Sequence, residues 1–197
     1  AFALAERIQR EEGRYFVHPF EGRSVALGTG TVGLELCEQV DDFDALIVPI
    51  GGGGLIAGIA NAVKQLRPGC EIIGVEPEGA DSMYRSLEAG EPQAIEKVTT
   101  IADSLGAPFA MPFSFELVQR NVNRLALVND DELRRTMGFL FRAMKLAVEP
   151  ACVASTAALL GPLRDELRGK RVVLVMCGSN IDWDTFERQA IFDDGID

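Results

Sequence analysis

The sequence is poor in several features that would point to particular functions. It has a single histidine, which excludes a metal site built from several imidazoles. Its four cysteines, Cys37, Cys70, Cys152 and Cys177, show neither the spacing of a zinc site nor the density of a disulfide framework. No apolar run reaches the length that spans a bilayer. We therefore expect a protein of a reducing compartment, the cytoplasm, that does not enter the membrane.

Basic residues are also scarce. The chain has 19 lysines and arginines against 30 aspartates and glutamates, which gives a formal net charge of −11. Nucleic acid and anionic membrane surfaces repel such a charge, so we expect neither as a partner. The 197 residues, 47% of them hydrophobic, are enough for one domain with a sizeable core.

The most informative segment is a run of four glycines between two apolar segments. Residues 45–50 predict a buried strand, Gly51–Gly54 a tight turn, and residues 55–60 a helix. Glycines allow close backbone approach, and a helix N-terminus carries unpaired N–H donors with partial positive charge. Together they bind anions, phosphate above all. Because no Lys or Arg lies between Ala45 and Val63, backbone groups would do the binding; a flexible glycine linker is the alternative.

The rest of the chain alternates strands and helices. Apolar runs predict buried strands over residues 70–75, 124–128 and 171–176, and a helix follows Asn129 with acids in its first turn. This alternation indicates an α/β fold with a parallel sheet and right-handed crossovers. Ligands of such sheets bind beyond the carboxyl ends of the strands, where the glycines and Glu76 both lie.

Nearer the N-terminus the pattern is weaker. We predict a helix over residues 2–12 that Gly13 closes, a short strand at 15–17, and a helix that begins at Thr31. We interpret His18, which follows the short strand, as a structural or surface histidine.

These segments resemble the fold type II enzymes that depend on pyridoxal 5′-phosphate (PLP), and within them the threonine dehydratase, serine dehydratase and serine racemase group. The glycine loop, the segment Thr99–Leu105, the Glu149-Pro150 pair and the segment Cys177–Asn180 carry the resemblance. It implies that residues 1–197 form one domain, the three-layer parallel-sheet large domain of such an enzyme, and that this domain is incomplete. An assignment of residues 1–20 to the smaller domain is also open.

The resemblance also implies a PLP site. The residues that would bind the cofactor phosphate are Gly51, Gly52, Gly53, Gly54 and Leu55. In similar enzymes the counterpart of Glu149 approaches the cofactor ring, and the counterpart of Cys177 hydrogen-bonds the pyridine nitrogen. A neutral thiol cannot keep that nitrogen protonated, which favours β-elimination over transamination. The alternatives are a surface acid at a helix start for Glu149 and a buried core cysteine for Cys177.

The segment after residue 75 is similar to a divalent-cation site of enzymes like serine racemase. There a glutamate, an alanine carbonyl and an acid two residues later bind the ion. Glu76 and Ala80 match the first two ligands, but Ser82 stands at the third position. Two oxygen ligands plus waters would hold magnesium or calcium only weakly. The alternative, which we favour, is a strand-end glutamate followed by a capped helix.

The Schiff-base lysine of the resembled enzymes has no counterpart here. The chain contains Lys64, Lys97, Lys145 and Lys170, and none has the Ser-Phe-Lys-like context of that lysine. The segment that carries it would precede Ala1. We therefore expect no catalytic residue in this chain and no activity from the chain alone.

By resemblance, the intact enzyme would be a homodimer that converts a small-molecule amino acid, L-threonine or L-serine, to a 2-keto acid and ammonia. Serine racemase and hydroxyaspartate dehydratase activities are the enzymatic alternatives. An alternative of another class is a non-catalytic module that binds a phosphorylated ligand through the glycine loop.

Overall fold

The computed structural model of this protein describes residues 2–192, so the outermost residues of the predicted domain, 1 and 193–197, lie outside the described part. Four strands form its sheet: β1 Ala45–Pro49, β2 Glu71–Pro77, β3 Arg124–Val128 and β4 Val172–Leu174. The helices are α1 Phe2–Glu12, α2 Arg23–Gln39, α3 Gly54–Leu66, α4 Ser82–Ala89, α5 Pro112–Asn121, α6 Asp130–Met144, α7 Ala154–Leu160 and α8 Trp183–Gln189. Short 3₁₀ turns cover Glu78–Ala80, Asp103–Leu105 and Pro150–Val153.

The sheet is parallel throughout, in the order β3-β2-β1-β4. Its central strand β1 is buried along its whole length. Ala45 and Ile47 face the apolar sides of α6, α7 and α8, whereas Leu46 and Val48 face α3 and α5. The alternation follows from the two-residue period of a strand. It confirms the predicted three-layer α/β architecture, whose helices cover both faces of the sheet.

Helix α2 begins earlier than predicted. It starts at Arg23 rather than at Thr31, so Gly28 and Gly30 lie within the helix and do not form a turn. Gly33 is buried against α3, where a Cβ atom would lie 2.8 Å from the carbonyl oxygen of Ile59. Close approach of the two backbones therefore requires a residue without a side chain at position 33.

Two strand predictions were wrong in part. Residues 15–17 form no strand in the structure, and Tyr15 is 80% exposed. The run over 171–176 forms only the short strand β4, and its residues are half-buried because β4 lies at the edge of the sheet. Helix α5 was not predicted, although Pro112 at its first position is a typical helix start. Within residues 2–192, none of the helices combines the length and apolar character needed to cross a bilayer.

Candidate functional site

A cavity of about 470 Å³ opens at the carboxyl ends of β1 and β4. It is the place where a parallel α/β sheet is expected to bind its ligand. The walls come from five stretches of chain that are far apart in sequence. They are Pro19 and Phe20, Pro49 with Gly51–Leu55, Asp103–Pro108, Glu149 with Ala151, and Cys177. The structure thus brings together the glycine loop, Glu149 and Cys177, as the resemblance implied.

The glycine loop presents a row of backbone donors. In the described part of the chain, no protein group accepts a hydrogen bond from the N–H groups of residues 51–56. Gly52, Gly53 and Gly54 are buried, and buried N–H groups need an acceptor. The same residues open helix α3, whose N-terminus adds partial positive charge. The donor set therefore fits a phosphate group.

Side chains are excluded from this loop by what surrounds it. Gly53 has a φ of 89°, in the left-handed region, and a Cβ atom there would lie 2.6 Å from Met83 Cε. A Cβ atom at Gly54 would lie 2.5 Å from the carbonyl oxygen of Phe20, and one at Gly52 would overlap the Phe20 ring. The glycines are thus needed because protein atoms already pack against the loop, and the interpretation as a flexible linker is wrong.

Phe20 is held in place by the start of α5. Its carbonyl oxygen accepts a hydrogen bond from Ser114 Oγ at 2.7 Å. The carboxylate of Glu21 accepts from the N–H of Phe113 at 2.8 Å and from that of Ser114 at 3.1 Å, so it caps the helix. The sequence did not indicate this role for Glu21, because the cap and the helix are 92 residues apart.

Glu76 caps a second helix beside the loop. Its side chain is fully buried, and its two oxygens accept from the N–H groups of Met83 at 2.9 Å and Tyr84 at 2.7 Å, in the first turn of α4. Burial raises the pKa of Glu76 to about 8, against the opposing effect of these donors. The geometry agrees with the capped-helix interpretation, and no group of three metal-ligating side chains occurs among residues 2–192.

Glu149 lies under the loop that follows β4. It is buried, its Oε2 accepts from the N–H of Asn180 at 3.1 Å, and its own N–H donates to the carbonyl of Gly178 at 3.4 Å. Gly178 has a φ of 120°, and a Cβ atom there would lie 2.6 Å from Glu149 Oε1. Glu149 is therefore not a surface acid. It holds the Cys177–Asn180 loop against the cavity.

Cys177 is exposed and lines the cavity, so its interpretation as a buried core cysteine was wrong. Loss of hydration raises the pKa of its thiol, and the negative charge of Glu149 raises it further. The thiol is therefore protonated at neutral pH and can donate a hydrogen bond into the cavity. Cys152, in contrast, is a true core residue, and burial raises its pKa to about 11.

No lysine lines the cavity in the part of the chain that the structure describes. Lys64 donates to the carbonyl of Cys70 at 2.6 Å, and Lys170 lies 3.2 Å from the carboxylate of Glu71. Lys145 donates to the carbonyl of Arg142. The position of the Schiff-base lysine therefore stays a prediction.

The fold and site define a class of α/β protein that binds a phosphorylated ligand at the carboxyl edge of a parallel sheet. Comparison with known proteins gives the family. Residues 1–178 match the family described as pyridoxal-phosphate dependent enzyme, and the chain belongs to that family. The resemblance on which the sequence analysis rested is thereby confirmed.

The similar proteins are lyases and racemases. Phenylserine dehydratase from Ralstonia pickettii is 56% identical over 188 residues, which cover 95% of this chain and 58% of the relative. L-threonine ammonia-lyase from Thermotoga maritima is 38% identical over 95% of this chain and 46% of its own length. The chain thus spans about half the length of the curated relatives it matches.

Solved structures confirm the fold. Maize serine racemase has a TM-score of 0.87 and 34% identity, over 95% of this chain and 59% of that one. The processed form of threonine deaminase isoform 2 from Solanum lycopersicum has a TM-score of 0.88 and 29% identity, over 93% of this chain and 54% of that one. The fold type II assignment follows from these likenesses.

Proposed function

We propose that this chain is the large-domain part of a PLP-dependent ammonia-lyase that converts a 3-hydroxy amino acid to a 2-keto acid and ammonia. The observation that carries the proposal is the row of N–H donors at residues 51–56, which have no acceptor within residues 2–192, with the Cys177 thiol on the same cavity. A helix N-terminus behind a glycine loop is a site for phosphate. A neutral hydrogen-bond donor in the same cavity suits the ring of PLP.

Each part of the site then has a chemical task. When bound, PLP supplies an electron-withdrawing ring that weakens the bonds at the α-carbon of an amino acid. Backbone donors of residues 51–56 anchor the phosphate, and Cys177 donates toward the ring nitrogen. Glu149 keeps the Cys177 loop in place through Asn180. Because a thiol is a weak and neutral partner, the site favours elimination, in which the leaving group takes the electrons.

L-Threonine and L-serine are the substrates we propose first. The relatives are named for phenylserine, threonine, 3-hydroxyaspartate and serine, amino acids that all carry a hydroxyl on the β-carbon. The test is a panel of these four amino acids, offered to the full-length protein that contains this chain, with 2-keto acid, ammonia and D-isomer measured. Keto acid and ammonia support a dehydratase, a D-isomer without keto acid supports a racemase, and neither product argues for a non-catalytic module.

The lysine is tested separately. The mass of this chain is 21.3 kDa, and we propose that the chain alone, without a Schiff-base lysine, is inactive. We expect the active protein to have a clearly larger intact mass and a visible cofactor band that borohydride abolishes. Activity from a 21.3 kDa protein would contradict this part of the proposal.

Other features of the whole protein are also proposals. Cytoplasmic location is supported by four cysteines that are all free thiols. A homodimer is supported by exposed aromatic rings at Trp183 and Phe192, since such residues are common in interfaces. Assignment of residues 1–20 to a smaller domain is supported by the stretch over residues 13–22, without helix or strand, that separates α1 from α2.

A weak site for magnesium or calcium at Glu76 and Ala80 remains a prediction, and its support is the sequence resemblance. Both carboxylate oxygens of Glu76 already accept N–H groups of α4, so a cation would share them with the helix. Calorimetric titration of the protein with each ion, repeated on Glu76→Gln, tests it: heat that the substitution abolishes supports the site.

A further inference from the structure

Protein groups pack against the glycine loop, and one residue that positions them is a glutamate that sequence analysis did not single out. Glu21 occupies the first-turn donors of α5 with both of its oxygens. The preceding residue, Phe20, is tied to the same turn through Ser114 Oγ. Three hydrogen bonds therefore fix residues 20 and 21 to the N-terminus of α5.

Phe20 in turn contacts the glycines whose backbone N–H groups would bind the phosphate. The Phe20 ring lies on Gly52, and its carbonyl oxygen lies beside Gly54, so neither glycine can move toward it. His18 packs against the same ring, with ring centroids 4.7 Å apart and planes at 90°. A shift of Phe20 would therefore displace the N–H groups of residues 52–54.

The start of α5 also touches the loop itself. A Cβ atom at Gly53 would lie 3.4 Å from Ser114 Cβ, so the glycine packs against the residue whose N–H Glu21 accepts. The loop is thus held between Phe20 and Ser114, and Glu21 joins the two. The loop cannot be held in this way by its own residues, because glycines have no side chains that could contact one another.

The carboxylate of Glu21 also affects which helix N-terminus is free to bind the anion. Three helix N-termini meet near the loop, and side-chain carboxyl groups occupy two of them, Glu21 on α5 and Glu76 on α4. The first-turn donors of α3 remain unpaired among the described residues. An anion that enters the cavity is therefore directed to α3.

We propose that Glu21 is a positioning residue for the cofactor phosphate, acting through Phe20 on the glycine loop. The inference rests on the proposed function for the identity of the phosphate. It concerns the affinity and placement of that group and requires no contact between Glu21 and the cofactor.

The test measures phosphate affinity in the full-length protein with Glu21→Ala, well below the midpoint of thermal unfolding. Inorganic phosphate and PLP are titrated separately. We expect both dissociation constants to rise about tenfold, because a charge-assisted cap is lost and the loop gains freedom. Glu21→Gln keeps one accepting oxygen and should lie between wild type and Glu21→Ala.

The matched control is Asn129→Ala. Asn129 caps α6 by accepting from the N–H of Glu132 at 3.0 Å, and it does not line the cavity. The Asn129→Ala variant should lose about as much thermal stability as Glu21→Ala, with no change in either dissociation constant. Phosphate affinity equal to wild type in Glu21→Ala, or a loss equal to that of Asn129→Ala, would overturn the proposal.

A double-mutant cycle tests whether Glu21 acts on the loop through Phe20. If Glu21 acts through Phe20, the effects of Glu21→Ala and Phe20→Ala on the dissociation constants should be non-additive; additive effects would overturn the route. The proposed function fails separately. A wild-type protein that binds phosphate but makes no keto acid would contradict the proposed ammonia-lyase activity without contradicting the role of Glu21. A wild-type protein that binds no phosphate would overturn both proposals.

Discussion

The two loops that line the cavity after the neighbouring strands β1 and β4 are held in different ways. The loop after β1 follows a fully buried strand and is enclosed by Phe20, Met83 and Ser114. The loop after β4 follows a half-buried edge strand and is held chiefly by Glu149. The first loop is preorganised and therefore loses little conformational freedom when a ligand binds, whereas the second loop depends on a single carboxylate.

The largest expected effect comes from breaking the better-held loop. Gly53→Ala places a side chain at a φ of 89° and against Met83, which we expect to lower the free energy of unfolding by about 2–4 kcal/mol. Phosphate binding should be lost beyond detection. Denaturant unfolding and phosphate titration measure the two effects.

The control for that substitution is Gly69→Ala. A Cβ atom at Gly69 meets nothing within 4 Å, so stability and phosphate affinity should stay near wild type. If Gly53→Ala behaved like Gly69→Ala, the close packing of the loop would not be what requires glycine.

The next effect concerns the pH dependence of α4, whose Met83 packs on the loop. The pKa of Glu76 is raised to about 8 in the folded protein, above its ordinary value of 4.5, so the folded state binds the proton more tightly than the unfolded state. Its contribution to stability is therefore full below pH 4.5 and is lost as the pH rises through 8.

Unfolding free energies at pH 5.5 and pH 8.5 test this. Between these values we expect wild type to lose about 1–3 kcal/mol more than Glu76→Gln, which cannot titrate. Equal pH slopes in the two proteins would show that Glu76 is ionised in the folded state throughout, stabilised by the N–H groups of Met83 and Tyr84.

The less firmly held loop should respond to Glu149. Glu149→Gln removes a negative charge beside Cys177 and so lowers the pKa of that thiol, because the carboxylate is one of the two causes that raise it. Alkylation of Cys177 by iodoacetamide at pH 8 should become about two- to fivefold faster. Cys37, which is not in the cavity, serves as the internal reference; an unchanged ratio of the two rates would contradict the prediction.

The smallest effect is expected from the conservative variant Cys177→Ser. Cys177→Ser keeps a neutral hydrogen-bond donor and should leave the kcat for elimination within about threefold of wild type, whereas Cys177→Ala removes the donor and should lower it about tenfold. Steady-state release of 2-keto acid by the full-length protein measures both. Equal rates for the two variants would show that the thiol does not contact the ring.

Local patterns were enough to predict the first loop. A buried strand, glycines and a helix are consecutive in sequence, so composition and order alone placed Gly51–Gly54 beyond the carboxyl end of a strand. The place of Glu76 at a strand end before a helix was predicted for the same reason, since that helix begins six residues later, but its capping of the helix was not predicted. The placement of Cys177 and Glu149 in the cavity came from the family resemblance.

What sequence could not provide depends on contacts between distant segments. The cap of Glu21 on α5 joins residues 92 positions apart. The close packing of Gly33 on α3 likewise joins two separate helices. The exposure of β4 follows from its place at the edge of the sheet, which its apolar composition does not reveal.

The most direct test of the central claim is an amide ¹⁵N–¹H spectrum of the glycine-labelled full-length protein, recorded with and without PLP. If the loop binds the phosphate through its backbone, the resonances of Gly51, Gly52, Gly53 and Gly54 should shift on binding, and those of Gly28 and Gly69, which lie outside the cavity, should not. Loop resonances that stay in place at saturating PLP would contradict the account.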